Sequence, residues 1–419
     1  MTNIKQHITV FEHEILRFNK GDNRITEAQL IELQKYYGNG IPFYSLCNNG
    51  IQFNEFVGVI QVGNTLIEVL PKADKATASK SKWRDILIGM LKAVGIFDIK
   101  STSDSSLKIK PNTILNLYFE MFINEVEHLL HNGLIKQYRG KDENISVLKG
   151  RIQFAKHVSF NLTHRERFYV RHTFYDANHN LHFILYKAIC LLQQINSNVN
   201  LHSRIGALLL NFPEMPDIKV NEATFEKLQF TRKNQTYKKA IDIARLLLLQ
   251  FHPDISRGKN NVLALMFDMN KLWEKFVYVS LRKNMHTTAS IAAQNSKFFW
   301  KPEVGYRSKI KPDIVINEGG EDCIVLDTKW KNINGYNPSP DDLRQMYVYH
   351  EYYHANRVAL VYPGEKSQRK EGAFLHPKSS ERLDKECSLI CLEVGPSIKQ
   401  WQENIYLEIE SWRKGLFKK

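Results

Sequence analysis

The sequence predicts a mixed α/β (α+β) protein in three portions: a β-rich N-terminal domain over residues 1–105, a mainly helical middle region over 106–245, and a C-terminal domain over 246–419 whose elements run αβββαβ. Three observations predict it. Runs of β-branched residues flank a Gly-Asn turn within Gly50–Lys72, the pattern of a hairpin. Apolar residues recur at helical intervals through two long middle segments. In the last third, a helical stripe, three strand-like runs, a capped helix and a further strand follow one another. A chain of 419 residues allows two or three cores at roughly 150 residues each, which excludes a single small module.

The N-terminal hairpin reads GIQFNEFVGVIQVGNTLIEVLPK and is followed by two joints, Ala73–Lys82 and Lys100–Asn112, both rich in Ser, Thr and Lys. Beyond them, Leu115, Tyr118, Phe122, Val126 and Leu129 form a helical stripe over Ile114–Leu130, and Asn178–Gln194 repeats the pattern. Between these, Ile145–Val158 (ISVLKGRIQFAKHV) alternates like a strand, and a further helix is expected over Tyr237–Leu249. No internal repeat is present. In the C-terminal domain, Val262, Met266, Met269, Trp273 and Phe276 share a helical stripe, and Lys297–Trp300, Lys311–Ile316 and Cys323–Trp330 read as strands. The next helix is marked at its start by Ser339 as cap, Pro340 in the first helical position, and Asp341 and Asp342 at the positive end of the dipole. Arg357–Tyr362 closes the order as a strand.

Composition narrows the function. Lys plus Arg number 58 against 44 Asp plus Glu, a net charge of +14, which suits a polyanion such as nucleic acid or an anionic membrane surface. No run approaches the ~20 apolar residues of a spanning helix; Leu181–Leu192 and Ile241–Phe251 are short and interrupted. The start of the chain lacks the apolar segment of a signal peptide, so a soluble, cytoplasmic protein is expected. The five cysteines cannot all pair and are read as reduced, buried structural residues.

The chemistry concentrates on KPDIVI and CIVLDTKWK, joined by the polar, Gly-rich segment Asn317–Asp322. In a hairpin centred on Gly320, Asp313 faces Asp327, and Lys329 shares the face of Asp327 by the strand period of two. Two carboxylates and an ammonium then converge on a patch ~5 Å across. Facing carboxylates repel unless a cation lies between them, and hard oxygen ligands with open positions suit Mg²⁺ or Mn²⁺. Such a site performs phosphodiester hydrolysis, with the lysine positioning a water and offsetting negative charge. The same residues also fit a proline-led strand start and a solvated strand edge; favouring the site, Asp327 interrupts the otherwise buried run Ile324-Val325-Leu326. Gln345 and Tyr349 share a helix face with Asp342, and Glu274, beside the apolar stripe of the preceding helix, is a candidate third metal ligand, direct or through water.

Pro312-Asp313, Asp327-Thr328-Lys329 and Gln345-Met346-Tyr347-Val348-Tyr349, in an αβββαβ order, resemble the PD-(D/E)xK nuclease superfamily and its RecB-like branch. A closer resemblance is to the McrC family, the nuclease subunits of McrBC modification-dependent restriction systems. Its marks are Leu148-Lys149-Gly150-Arg151-Ile152-Gln153-Phe154-Ala155-Lys156, Tyr175-Asp176-Ala177-Asn178-His179-Asn180, Phe267-Asp268-Met269-Asn270-Lys271-Leu272-Trp273-Glu274 and Asp327-Thr328-Lys329-Trp330. These cover roughly 145–363, and Ile67–Lys72 is similar to the extension of longer members. Thr328 departs from the small alanine common between acid and lysine; its side chain is expected to face away from the metal. The resemblance implies Asp313, Asp327, Lys329, Gln345 and Tyr349 as catalytic residues, and a partner, a McrB-like AAA+ GTPase ring that reads modified double-stranded DNA and translocates. This chain carries no GxxxxGK[ST] loop, so GTP turnover is supplied in trans.

By elimination, the N-terminal and middle portions are left for docking. Gly150 and Arg151 either belong to that coupling or simply hold a strand start. The main alternative to a nuclease is a non-catalytic adaptor that docks on and activates the ring; intact Asp313, Asp327 and Lys329 argue against it. A general nucleic-acid binder relying on positive charge has no aromatic platform or finger motif in the sequence to support it.

Overall fold

The computed structural model describes residues 6–18, 24–37, 42–72, 79–94, 114–252, 262–285, 289–331, 333, 337–395 and 397–415. These fall into two compact units, one built chiefly from 111–265, the other from 7–60, 67–110 and 266–419. The joint expected at Lys100–Asn112, and most of that at Ala73–Lys82, lie outside the described residues.

In the first unit, helices Ile114–His131, Asn180–Ile195, Val199–Asn211 and Lys238–Leu249 pack together. The predicted stripe Leu115, Tyr118, Phe122, Val126 and Leu129 is buried throughout. His182 is fully buried among these helices, with Nε2 3.1 Å from the Tyr237 hydroxyl. Beside them, Phe168–Asp176 pairs antiparallel with Gln137–Ile145 on one side and Arg151–Ile152 on the other. The strand expected over Ile145–Val158 is therefore corrected: a strand ends at Ile145 and Phe154–Asn161 is a helix. Phe154 and Val158, spaced by four, fit helical and alternating patterns alike, and both are exposed. Gly150 has a structural reason of its own, since its φ is +80° and a Cβ there would lie 2.3 Å from the Arg171 carbonyl oxygen.

The helix expected from Val262 is also corrected. Val262–Asp268 is a strand, antiparallel to Phe251–His252, and the helix begins at Met269. Val262 to Leu265 are buried without a break, and a short continuous apolar run reads as either element.

The second unit is organised by a six-stranded sheet in the order Ile291–Ala293, Ile314–Ile316, Ile324–Thr328, Arg357–Gly364, Arg382–Glu393, Gln368–Leu375. Its two inner junctions, on either side of Arg357–Gly364, are parallel and the rest antiparallel. Helix Pro340–Tyr353 lays Met346, Tyr349 and Tyr353 on a face formed by Val315, Val325, Val358 and Leu360. By strand alternation Leu326 and Val361 point the other way, where helices Met269–Met285 and Ile398–Arg413 pack with Trp273 and Trp401 stacked at 5.4 Å.

The first sheet strand is Ile291–Ala293, not Lys297–Trp300, which instead pairs with Ser308–Ile310 in a separate hairpin. The edge place beside Ile314–Ile316 needs only three residues, and the small, apolar Ile291–Ala293 fills it. Two strands and a helix beyond Tyr362 extend the expected order. The N-terminal hairpin is present as Phe56–Val62 and Thr65–Leu70, turning at Gly63 with φ +55°. All five cysteines are free, and no helix of the described residues is long and apolar enough to cross a membrane.

Candidate functional site

Ile314, Val315 and Ile316 lie opposite Leu326, Val325 and Ile324, the register centred on Gly320. Continued by one residue, it sets Asp313 against Asp327. The turn is made by Asn317 at φ +53° and Gly319 at +77°, and Pro312, lacking an N–H, stands just ahead of the strand. Asp327 is only 1% exposed, a cost that its neighbours must offset.

They do so from two elements. Lys329 Nζ lies 2.7 Å from Asp327 Oδ2, and Gln345 Nε2 donates to Asp327 Oδ1 at 3.3 Å. The same amide nitrogen donates to the Tyr349 hydroxyl at 2.7 Å, which in turn donates to the Lys311 carbonyl at 3.0 Å. Lys329 Nζ also donates to Gln345 Oε1 at 3.5 Å. The helix that carries Gln345 starts as predicted, with Ser339 Oγ accepting from Asp342 N at 3.1 Å. Asp342 in turn lies 2.7 Å from Lys331 Nζ and 4.0 Å from Lys329 Nζ. The site thus alternates charges, two acids against two lysines, with Asp313 added from the neighbouring strand.

Thr328 reaches Asp313. Its backbone N–H and its hydroxyl both donate to Asp313 Oδ2, at 2.7 and 2.8 Å. Asp313 stands one residue before its strand, its carbonyl accepting from Gln294 N at 2.9 Å, and its carboxylate turns across the strand end to take both donors.

The electrostatics show an excess of negative charge. Burial, aided by the Asp313 charge, pushes the Asp327 carboxyl up to about 7 against the opposing pull of Lys329. Burial alone would lower the Lys329 ammonium, but Asp327 outweighs it and holds the group above its ordinary value. Glu274 is raised by burial and then by Asp313, and its Oε1 accepts from Gln294 Nε2 at 2.7 Å. Burial also raises Tyr349, which stays a protonated donor.

Asp313, Asp327, Lys329, Gln345 and Tyr349 are therefore brought together. Glu274 stands within electrostatic reach of Asp313, but among the described residues no three His, Cys, Asp or Glu side chains form a metal-holding group. The pair Asp313 and Asp327 nevertheless fits a hard divalent ion. Both are hard oxygen donors at adjacent strand ends, and Asp327 Oδ2, buried and 2.7 Å from Lys329 Nζ, has that ammonium as its near charge partner. Mg²⁺ characteristically binds through one or two carboxylates and keeps several waters.

Sequence reasoning dismissed Thr328 and did not find Lys331 or Gln294. Lys331 lay within reach of the strand period, two residues beyond Lys329; Gln294 carries no signal in the sequence.

Fold and site together define a class: a mixed sheet, helices on both faces, with a carboxylate–carboxylate–lysine cluster at adjacent strand ends and a Gln/Tyr pair reaching in from the following helix. The chain belongs to the family of McrBC 5-methylcytosine restriction system components, which matches residues 51–363. It is similar, at 20% identity and a TM-score of 0.74, to a chain of the refined half-complex from a tetradecameric assembly of Thermococcus gammatolerans McrB AAA+ hexamers with bound McrC, over 97% of this chain and 100% of that one. A chain in the cryo-EM structure of the Thermococcus gammatolerans McrBC complex is similar over 67% of this chain and 88% of its own, with a TM-score of 0.52 and 20% identity. At this identity the likeness is one of fold. No curated protein matches the chain.

Proposed function

We propose that the chain is the metal-dependent DNA endonuclease subunit of a McrBC-like restriction system, with a PD-(D/E)xK core of the RecB-like branch. In this reading it acts in the cytoplasm with a McrB-like AAA+ GTPase ring, which it stimulates and which reads modified double-stranded DNA. The observation that carries the reading is the convergence of Asp313, Asp327 and Lys329, with Asp327 buried at the strand end and ion-paired to Lys329 at 2.7 Å. Asp313 and Asp327, with Glu274 directly or through water, would hold Mg²⁺ or Mn²⁺. The ion supplies positive charge to the scissile phosphate and lowers the pKa of water.

The protein's own groups do the rest. Thr328 fixes the Asp313 carboxylate by two hydrogen bonds. Gln345, braced by Tyr349, orients Asp327 and offers its carbonyl to Lys329. Lys329 remains partly exposed, so its ammonium can orient the attacking water and offset the charge that builds on the phosphate. Docking on the ring is assigned to the region 106–245.

The test uses the full chain with its partner GTPase, GTP, Mg²⁺ and modified DNA. Asp327→Asn and Lys329→Ala should each lower cleavage on the order of 10²-fold or more, the cost of removing a transition-state stabiliser, while GTP turnover stays within about twofold of wild type. Wild-type cutting by either variant refutes the assignment. A wild type that raises GTP turnover without cutting makes the chain an adaptor.

A further inference from the structure

The separate hairpin that contains the expected sheet strand runs Lys297–Trp300 and Ser308–Ile310 and leads directly into Lys311-Pro312-Asp313. Its base is anchored. The Phe299 ring packs edge-on against Tyr352 at 5.4 Å, and Lys297 Nζ donates to the Tyr352 carbonyl at 3.1 Å. Its outer end is not: Trp300 is 59% exposed and Tyr306 98%. The other five tryptophans of the chain are buried, so Trp300 is the exception. Gly305, at φ +120°, turns the loop between the strands.

Exposed aromatics need an explanation when they cluster, and these are interleaved with charge. Residues 297–311 hold five Lys or Arg and one acid, Glu303. Arg307 and Lys309 lie 5.2 and 4.9 Å from the centroid of the Phe298 ring, which orders two cations along one side of the hairpin. A protein-docking surface usually keeps charge out of its centre. Cations that track phosphates, mixed with rings that stack on bases, make instead the platform of a single-strand binder.

We propose that this hairpin grips a DNA strand beside the carboxylate cluster: Lys301, Arg307 and Lys309 contact phosphates, and Trp300 and Tyr306 stack on unpaired bases. The hairpin supplies the aromatic platform that the sequence, read as a sheet strand, did not reveal. Calling that strand the substrate rests on the nuclease reading; the binding itself does not.

The experiment measures binding, on the full chain without Mg²⁺ or GTP. Because Trp300 is the exposed tryptophan, oligothymidylate should quench the intrinsic fluorescence, whereas heparin, a polyanion without bases, should not. Trp300→Phe should remove the quench and leave affinity for labelled oligothymidylate within about threefold, a phenyl ring being able to stack. Trp300→Ala with Tyr306→Ala should weaken that affinity ~10-fold or more, and Arg307→Glu with Lys309→Glu should flatten its salt dependence. Unchanged affinity in the double alanine variant, or equal quenching by heparin, overturns the proposal. So does a double alanine variant that binds oligothymidylate normally but no longer stimulates the GTPase, which would make the hairpin a protein contact. A wild type that binds through the hairpin yet never cuts with its partner refutes the nuclease reading and leaves this one standing.

Discussion

Asp327 interrupts a buried run and sits opposite another acid, so Lys329 and Gln345 are what hold its charge against burial and Asp313. Thr328 does the same for Asp313. A hydrogen bond to a charged group contributes about 1.5–3 kcal/mol, so Thr328→Val, which keeps the backbone donor and deletes the hydroxyl, should lower cleavage about tenfold or more, and Thr328→Ser should restore it. Cleavage rates measured with the partner decide this; a valine variant that cuts at the wild-type rate removes Thr328 from the site. The Asp313, Asp327 and Lys329 placement was legible in the sequence because a regular hairpin converts numbering into geometry. The Thr328 contact was not, because alternation puts Thr328 on the face opposite Asp327 and does not foresee a carboxylate turning across the strand end to meet it. The bond from Gln294 to Glu274 joins two elements whose meeting leaves no periodic trace.

At the scale of elements, the strand end that bears Lys329 is held from the N-terminal part of the chain. Trp330 Nε1 and Lys72 N both donate to Glu12 Oε1 at 2.8 Å, and Trp330 packs edge-on against Trp273 at 5.6 Å and Trp83 at 6.5 Å. Glu12 is 6% exposed, its other oxygen is buried without a hydrogen bond, and burial pushes its carboxyl up to about 7. A carboxyl whose folded value exceeds its unfolded one binds more protons when folded, so its contribution is full below about pH 4.5 and is lost as pH rises through about 7. Glu12→Gln should therefore gain stability relative to wild type on going from pH 5 to pH 8, by on the order of 3 kcal/mol, read from denaturant melts at both pH values. A difference that does not vary with pH contradicts the burial argument. The elements themselves were legible where the apolar period was long, as in Ile114–His131, or the ends were chemically marked, as at Ser339. They were not legible where a short apolar run suited two periods, as at Val262–Leu265 and Phe154–Val158, or where two candidate strands competed for one edge.

For the whole molecule, the family match begins inside the N-terminal strands and ends in the strand Arg357–Gly364, so it spans the hairpin, the helical middle and the carboxylate cluster. The net charge of +14 gives the chain a long-range attraction for DNA, and that field makes the acid cluster an exception within a basic molecule. A cluster of acids on a cationic protein is suited to a cation that then meets phosphate, and the proposed chemistry depends most on that ion being held by Asp313 and Asp327. Titration of the full-length chain with Mn²⁺, following free Mn²⁺ by electron paramagnetic resonance, tests this without the partner or DNA. One tight class of site is expected in the wild type, weakened at least ~10-fold in Asp313→Asn and in Asp327→Asn; the same Mn²⁺ affinity in all three proteins would contradict a metal held by this pair.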